Sequence, residues 1–108
     1  MLCGCLLLAG VAAAQTPHAD AHIFWSKGCP HCEKALAYLA PLPDVYPGLQ
    51  IHPHEVSSDK ENLAMLVEFA KQRQLHELGV PLTVIGDEIM VGYQDDATTG
   101  EWLKSRIE

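Results

Sequence analysis

Two cysteines separated by two residues, Cys29 and Cys32, carry the clearest chemistry in this sequence. Cysteines at this spacing, with the second inside a helix, can close a small disulfide ring across the first helical turn. Such a ring can open and re-form. Structural disulfides stabilise most when they close long loops, whereas a two-residue loop constrains the unfolded chain little. The spacing therefore favours a working redox pair.

The neighbouring residues predict a helix that begins at Cys29. Pro30 suits the first helical position, which needs no N–H donor. The first N–H groups of a helix lack internal partners and, with the helix dipole, stabilise an anion such as a thiolate. His31 would add a positive charge beside that sulfur. Cys32 falls on the apolar stripe of the helix, so Cys29 is predicted to attack and Cys32 to resolve.

The apolar strand Ile23-Phe24-Trp25 followed by Cys29-Pro30-His31-Cys32 resembles the thioredoxin-like thiol–disulfide oxidoreductases. The tetrad is similar to that of the DsbA-type periplasmic oxidases. This resemblance implies catalytic roles for Cys29, Cys32, His31 and Pro30, with protein thiols or disulfides as partners. It implies no cofactor beyond the redox-active Cys29–Cys32 disulfide.

The resemblance also implies a substrate-binding surface around the cysteines. In this family a cis-proline precedes the third strand and lies beside the active cysteines, and the matching position is Pro81. Val80 before it is again similar to the DsbA type. Trp25 and Lys27 precede the tetrad, and we expect them to contribute together with Val80 and Pro81. The large helical insertion of the DsbA type is missing, so oxidase, reductase and isomerase directions all stay open.

Composition bounds the size and partners of the protein. The chain has 108 residues, enough for one domain with a modest core. Its net charge of −7, with seven Lys and Arg in total, offers no basic stripe for phosphate contacts, so nucleic acid is not expected as a partner. We expect a monomer that serves protein thiols, and a membrane redox partner fits the size equally well.

The N-terminus predicts export. Residues 1–14 form an apolar run ending in three alanines, typical of a signal peptide with a small-residue cleavage site. No Lys or Arg precedes the run, which departs from that pattern, and an uncleaved start would tether the domain to a membrane. Cys3 and Cys5 are interpreted as incidental. We expect a periplasmic or otherwise exported protein, with a flexible lead over 15–21 and the domain over 22–108.

Hydrophobic periodicity predicts the element order β-α-β-α-β-β-α. The first helix should end at Pro41, and capping boxes should open the later helices at Ser58–Glu61 and Thr98–Glu101. The second helix should run to about 75–79. The predicted strands are 22–25, 49–56, 82–85 and 89–93. Pro53 marks the second strand as an edge strand.

This order is that of the minimal thioredoxin-like fold, an α/β architecture closest in outline to glutaredoxins. The resemblance implies a four-stranded mixed sheet in the order 2-1-3-4 with flanking helices.

Two alternatives remain open. A glutathione-linked, glutaredoxin-like reductase would need a glutathione site, for which candidates are Lys27, Val80, Gly92, Asp95 and Asp96. A non-enzymatic module binding a soft metal would use Cys29 and Cys32 with His31, His52 or His54. His52 and His54 share one face of the edge strand, where solvent exposure is the simpler interpretation, and Asp95 and Asp96 suit a turn before a helix.

Overall fold

The computed structural model describes residues 19–108. The predicted signal peptide 1–14, with Cys3 and Cys5, and residues 15–18 of the predicted lead lie outside the described residues. Residues 19–21 do not belong to a flexible lead, because the first strand begins at Ala19. None of the helices in 19–108 has the length and apolar character needed to span a membrane.

A four-stranded mixed sheet in the order β2-β1-β3-β4 forms the centre of the fold. Strand β1 (Ala19–Trp25) pairs in parallel with β2 (Leu49–Glu55) and antiparallel with β3 (Leu82–Ile85). β3 pairs antiparallel with β4 (Glu88–Val91) through a turn at Gly86 and Asp87. The predicted sheet order is confirmed, and exposed Pro53 lies on an edge strand as expected.

Helices cover both faces of the sheet. Helix α1 (Pro30–Leu39) and α4 (Glu101–Ile107) pack on one face, where alternate β1 residues Ala21 and Ile23 meet Leu39 and Leu103. Helix α3 (Lys60–Gln72) packs on the other, through Leu66 and Phe69 against Phe24. The period-two alternation of β1 thus gives each layer of helices its own apolar cluster.

Asp59 begins helix α3, in place of the predicted Ser58–Glu61 capping box. Its side chain accepts from the Asn62 N–H at 3.0 Å. The Ser58 hydroxyl instead donates to Glu55. The helix ends at Gln72, earlier than predicted, because the chain turns back through Gln74 at a positive φ of 56°. The Ser58–Glu61 prediction was therefore wrong by one residue.

The apolar residues that recur at helical spacing in α3 are only partly buried. Leu66 and Ala70 lie in the core, whereas Leu63 and Val67 are 43% and 45% exposed. Helix α1 shows the same effect at Ala40, which is exposed just beyond the last turn. A short helix, α2 (Leu42–Val45), follows α1 and contains Pro43.

The C-terminal helix also begins differently from the prediction. A π-helical turn, Asp96–Gly100, precedes α4, and Asp95 caps it by accepting from the Thr98 N–H at 2.8 Å. Leu103 is buried, while Trp102 and Ile107 pack at the margin of the core. The Thr98–Glu101 capping box is therefore absent, and Asp95 takes its place.

Candidate active site

Cys29 lies between the end of β1 and the first residue of α1. A tight turn over residues 26–29 is closed by the Cys29 N–H to the Ser26 carbonyl at 3.3 Å, with Gly28 at φ 78°. A positive φ at the third position defines a type II turn and favours glycine there. Cys29 is then the N-cap of α1, in extended conformation, and its Sγ accepts from the Cys32 N–H at 3.3 Å.

Cys32 lies one helical turn further and is fully buried, with 0% of its surface exposed. Cys29 is half-buried, and both are free thiols. Burial, followed by hydrogen bonding with Cys29, raises the pKa of Cys32 to about 12. Cys32 therefore stays protonated at neutral pH, and Cys29 is the sulfur that solvent reaches.

The His31 side chain, which the sequence predicted to add a positive charge beside Cys29, hydrogen-bonds to the segment after β4. Its Nδ1 lies 2.9 Å from the Tyr93 carbonyl oxygen. A carbonyl can only accept, so Nδ1 carries the proton. This bond ties the first turn of α1 to the segment after β4. Among residues 19–108, no hydrogen bond joins His31 to Cys29.

An open groove of about 610 Å³ extends from His31 along the end of β4. Its walls combine apolar and small polar side chains: Met90, Val91, Gly92, Tyr93, Gln94, Thr98, Thr99 and Trp102. The Val80–Pro81 bond is cis, as the resemblance implied, and the buried Pro81 accepts from the Gly92 N–H through its carbonyl. The cis-proline and His31 thus meet the same short segment, Gly92–Tyr93.

The other predicted substrate-binding residues lie in different surroundings. Lys27 is exposed in the turn before Cys29. Trp25 packs at the margin of the α1 cluster, and its buried indole N–H has no partner among residues 19–108. Val80 packs against the cluster on the opposite face of the sheet. Contact between substrate and Trp25, Lys27, Val80 or Pro81 stays a prediction. In the case of Val80, the predicted contact is with its main chain.

Sequence reasoning missed Glu55, which lies directly beside the turn over residues 26–29. Its carboxylate accepts from the Lys27 N–H at 2.9 Å and from the N–H and hydroxyl groups of Ser57 and Ser58. These bonds, first that of the Ser57 hydroxyl, hold the pKa of Glu55 well below its usual range. A carboxylate at the end of a strand, with serines two and three residues later, is the signal that could have found it.

Four of the candidate residues of the two alternatives make contacts within the fold. Asp95 caps the π-helical turn, and Asp96 accepts from the Tyr93 hydroxyl, so both make contacts within the fold. His52 and His54 are half-buried, contrary to the expected exposure, and contact His22. Among residues 19–108, no three His, Cys, Asp or Glu side chains are arranged to hold a metal ion.

The backbone superposes on solved structures of other proteins. A glutaredoxin from Archaeoglobus fulgidus superposes with a TM-score of 0.60 at 20% identity, covering 98% of this chain and 97% of that one. Glutaredoxin 1 from Francisella tularensis gives 0.55 at 15%, covering 81% and 98%. A putative thiol:disulfide interchange protein DsbE from Chlorobium tepidum gives 0.57 at 12%, covering 90% and 85%. No family model and no curated protein matches the sequence.

Proposed function

On a thioredoxin-like fold with Cys29 at a helix start and Cys32 buried behind it, we propose that this chain is an exported thiol–disulfide oxidoreductase. It exchanges disulfides with protein thiols through the Cys29–Cys32 pair. The observation that carries the proposal is the asymmetry of the two sulfurs. One is half-buried and accepts a main-chain N–H, and the other is fully buried.

In the reducing direction the Cys29 thiolate attacks one sulfur of a substrate disulfide. A Cys29–substrate disulfide forms, and the other substrate sulfur leaves as a thiolate and takes up a proton. Cys32 then loses its proton and attacks the Cys29 sulfur. The second substrate thiolate leaves, and the protein keeps the Cys29–Cys32 disulfide. Two electrons have passed from the pair to the substrate.

In the oxidising direction the same steps run in reverse. A substrate thiolate attacks the Cys29 sulfur of the protein disulfide, and Cys32 leaves and is protonated. A second substrate thiolate then displaces Cys29, which completes the substrate disulfide. Burial raises the pKa of the Cys32 thiol, and a thiol with a raised pKa is a poorer leaving group in this step. The reduction potential of the pair decides which direction the protein serves.

Trapping the intermediate tests the exchange. We expect Cys32→Ser, incubated reduced with a disulfide-containing protein such as insulin, to accumulate a mixed disulfide at Cys29, because the resolving thiol is gone. Cys29→Ser is the matched control and should form no adduct at Cys32, since that sulfur is buried. Mass spectrometry of the adducts reads the result. Equal trapping in both variants, or none in Cys32→Ser, would contradict the proposed roles.

The same trap separates the glutathione-linked alternative. An adduct formed only with glutathione disulfide, and not with protein disulfides, would favour a glutaredoxin-like reductase.

Export is the second part of the proposal, and it is supported by the apolar run over 2–14 and its alanine end. Expression of the full chain in a bacterial host, followed by fractionation and mass measurement, tests it. We expect the protein in the periplasmic fraction, either shortened at the predicted cleavage site or held at the membrane by its start. An intact chain in the cytoplasm would contradict export.

A further inference from the structure

Glu55 binds two loops at once at the end of the parallel strand pair. It is the last residue of β2 and pairs with Trp25, the last residue of β1. The final main-chain bond of the pair runs from the Val56 N–H to the Trp25 carbonyl at 2.9 Å. In the described part of the chain, no main-chain hydrogen bond of the β1–β2 pair follows this one. Beyond it, the Glu55 carboxylate joins the end of β2 to the turn after β1.

One carboxylate oxygen contacts both loops, and the other contacts only the loop after β2. Oε2 accepts from the Lys27 N–H at 2.9 Å, within the turn that leads to Cys29, and from the Ser57 N–H at 3.1 Å. Oε1 accepts from the N–H and hydroxyl of Ser58 at 2.9 and 2.8 Å. The Ser57 and Ser58 bonds hold the carboxylate in one orientation, so its bond to Lys27 acts from a fixed point.

The bonded N–H belongs to a central residue of the turn. Lys27 occupies the second position of the type II turn closed between Ser26 and Cys29, where the N–H points outward and the turn itself leaves it without a partner. A hydrogen bond to a charged acceptor is stronger than one to water or to a neutral oxygen. Glu55 therefore fixes the turn that sets where the Cys29 sulfur lies.

We propose that Glu55 is a positioning residue for disulfide exchange, acting on Cys29 through the Lys27 N–H. This inference rests on the proposed function of the Cys29–Cys32 pair. Glu55 holds the turn over 26–28 against the end of β2, so that Cys29 meets the N–H groups of α1 in the conformation that suits attack. Misplacing a reacting atom by an ångström can lower a rate by two orders of magnitude.

Three variants test the role of the carboxylate. We expect Glu55→Ala to lower the rate of Cys29 with a small disulfide about tenfold, the scale of a lost charged hydrogen bond. Glu55→Gln should fall between it and the parent, because the amide keeps one acceptor oxygen. Glu61→Ala is the control, since it removes the same charge from an exposed position in the first turn of α3.

A pH series adds a readout that a merely structural role would not move. In Glu55→Ala the pH profile of Cys29 alkylation should differ from the parental profile, because a relaxed turn changes the contact between the Cys29 sulfur and the Cys32 N–H. Urea unfolding and circular dichroism at the same pH values establish that the variants are folded. The proposal would be overturned if folded Glu55→Ala matched Glu61→Ala in both the rate of disulfide exchange and the pH profile of alkylation.

A second pair of backgrounds tests the path through Lys27. Lys27→Pro deletes the N–H donor yet keeps the turn, because proline is favoured at this position of type II turns. Lys27→Ala loses the same side chain but keeps the N–H. We expect Glu55→Ala to slow exchange about tenfold in the Lys27→Ala background and to have no effect in Lys27→Pro. Equal losses in both backgrounds would overturn the proposed path.

These outcomes are distinct from failure of the proposed function. A parent protein that exchanges no disulfide contradicts the function itself. A parent that exchanges, with Glu55→Ala equal to it, contradicts only the role of Glu55.

Discussion

Burial gives the two cysteines different chemistry. Cys32 has a raised pKa because its thiolate would be desolvated, whereas Cys29 stands at the helix start with a main-chain donor on its sulfur. The sequence predicted the burial of Cys32 and the position of Cys29 at the helix start correctly, because the cap position, Pro30 and the apolar spacing of α1 are all local features. His31 was harder to predict, because its partner, the Tyr93 carbonyl, lies 62 residues away along the chain.

Capping residues show the limit of local patterns. Ser58 and Glu61 have capping-box spacing, yet Asp59 caps α3, because Glu55 engages Ser58 from the end of β2. The carboxylate of Glu55 and the serines lie close in sequence, but their joint contact with Lys27 requires the parallel pairing of β1 and β2. Spacing alone cannot reveal which of several capable side chains makes the cap.

Gly100 provides a prediction at the level of one residue. A Cβ there would lie 2.8 Å from Tyr38 Cε1 and 3.0 Å from the hydroxyl oxygen of Tyr93, whose main chain holds His31. We expect Gly100→Ala to lower the free energy of unfolding by ~1 kcal/mol, because overpacking by ~1–3 kcal/mol exceeds the gain of up to ~1 kcal/mol in helix propensity. Urea unfolding measures the change.

Gly79→Ala is the matched control for that substitution. Nothing lies within 4 Å of its added Cβ, so its stability should stay level or rise slightly. A stabilised Gly100→Ala would mean that the Tyr38 ring moves aside at little cost, and that the close approach is incidental.

The pairing of β1 with β2 brings three histidines together on one sheet face. His22 Nδ1 lies 3.0 Å from His54 Nε2, and the His22 ring lies 4.6 Å from that of His52. Asp20 contacts His52 at 2.9 Å. Desolvation, and then repulsion within the cluster, lowers the pKa of both His22 and His54, although Asp20 partly opposes this at His22.

This cluster predicts that acid destabilises the fold. The unfolded chain binds protons at the ordinary histidine value of 6.5, whereas folded His22 and His54 bind them only at lower pH. Below about pH 6.5 the unfolded state therefore holds more protons, and the free energy of unfolding falls as pH drops towards the folded pKa values. Above that pH these two groups contribute no pH dependence.

Urea unfolding between about pH 7.5 and about pH 5 measures this loss. His22→Gln removes one titrating ring and its repulsion on His54, so its acid-dependent loss should be smaller than that of the parent. His76→Gln changes an exposed histidine and should keep the parental slope. A parental slope in His22→Gln as well would assign the acid sensitivity to other groups.

The presence of each strand and main helix was predicted better than the residues at which it ends or the exposure of its side chains. Four strands and three main helices follow from periodicity, because their apolar positions repeat at strand or helix spacing. The end of α3 did not follow, because the chain leaves the helix through Gln74 at a positive φ. The exposure of Leu63 and Val67 did not follow either, because helical spacing does not show how much of the apolar face is covered by the rest of the fold. The half-buried histidines of β2 were misjudged for a related reason, because their partner His22 belongs to another strand.

At the scale of the whole molecule, sheet order and the cis bond at Pro81 came from family resemblance. Neither is encoded in composition or spacing. The resemblance could supply them because the order of elements and the position of the C-x-x-C pair restrict the topology strongly. The resemblance could not supply the substrate. Proteins that share one fold bind different partners, because their surfaces differ in charge and shape.

Net charge predicts a preference among disulfide partners. The chain carries −7 at pH 7, and a field of that sign slows the approach of anions and speeds that of cations. We expect the reduced protein to react faster with cystamine, a dication, than with dithiodiglycolate, a dianion of similar size. The difference should shrink at about 1 M salt, where the Debye length falls to ~3 Å. Stopped-flow kinetics at several salt concentrations measures both rates. Glutathione disulfide, with more carboxylates than ammonium groups, belongs with the anionic probe. A faster anionic reaction at low salt would show that local charges such as Lys27 dominate the approach, and it would strengthen the glutathione-linked alternative.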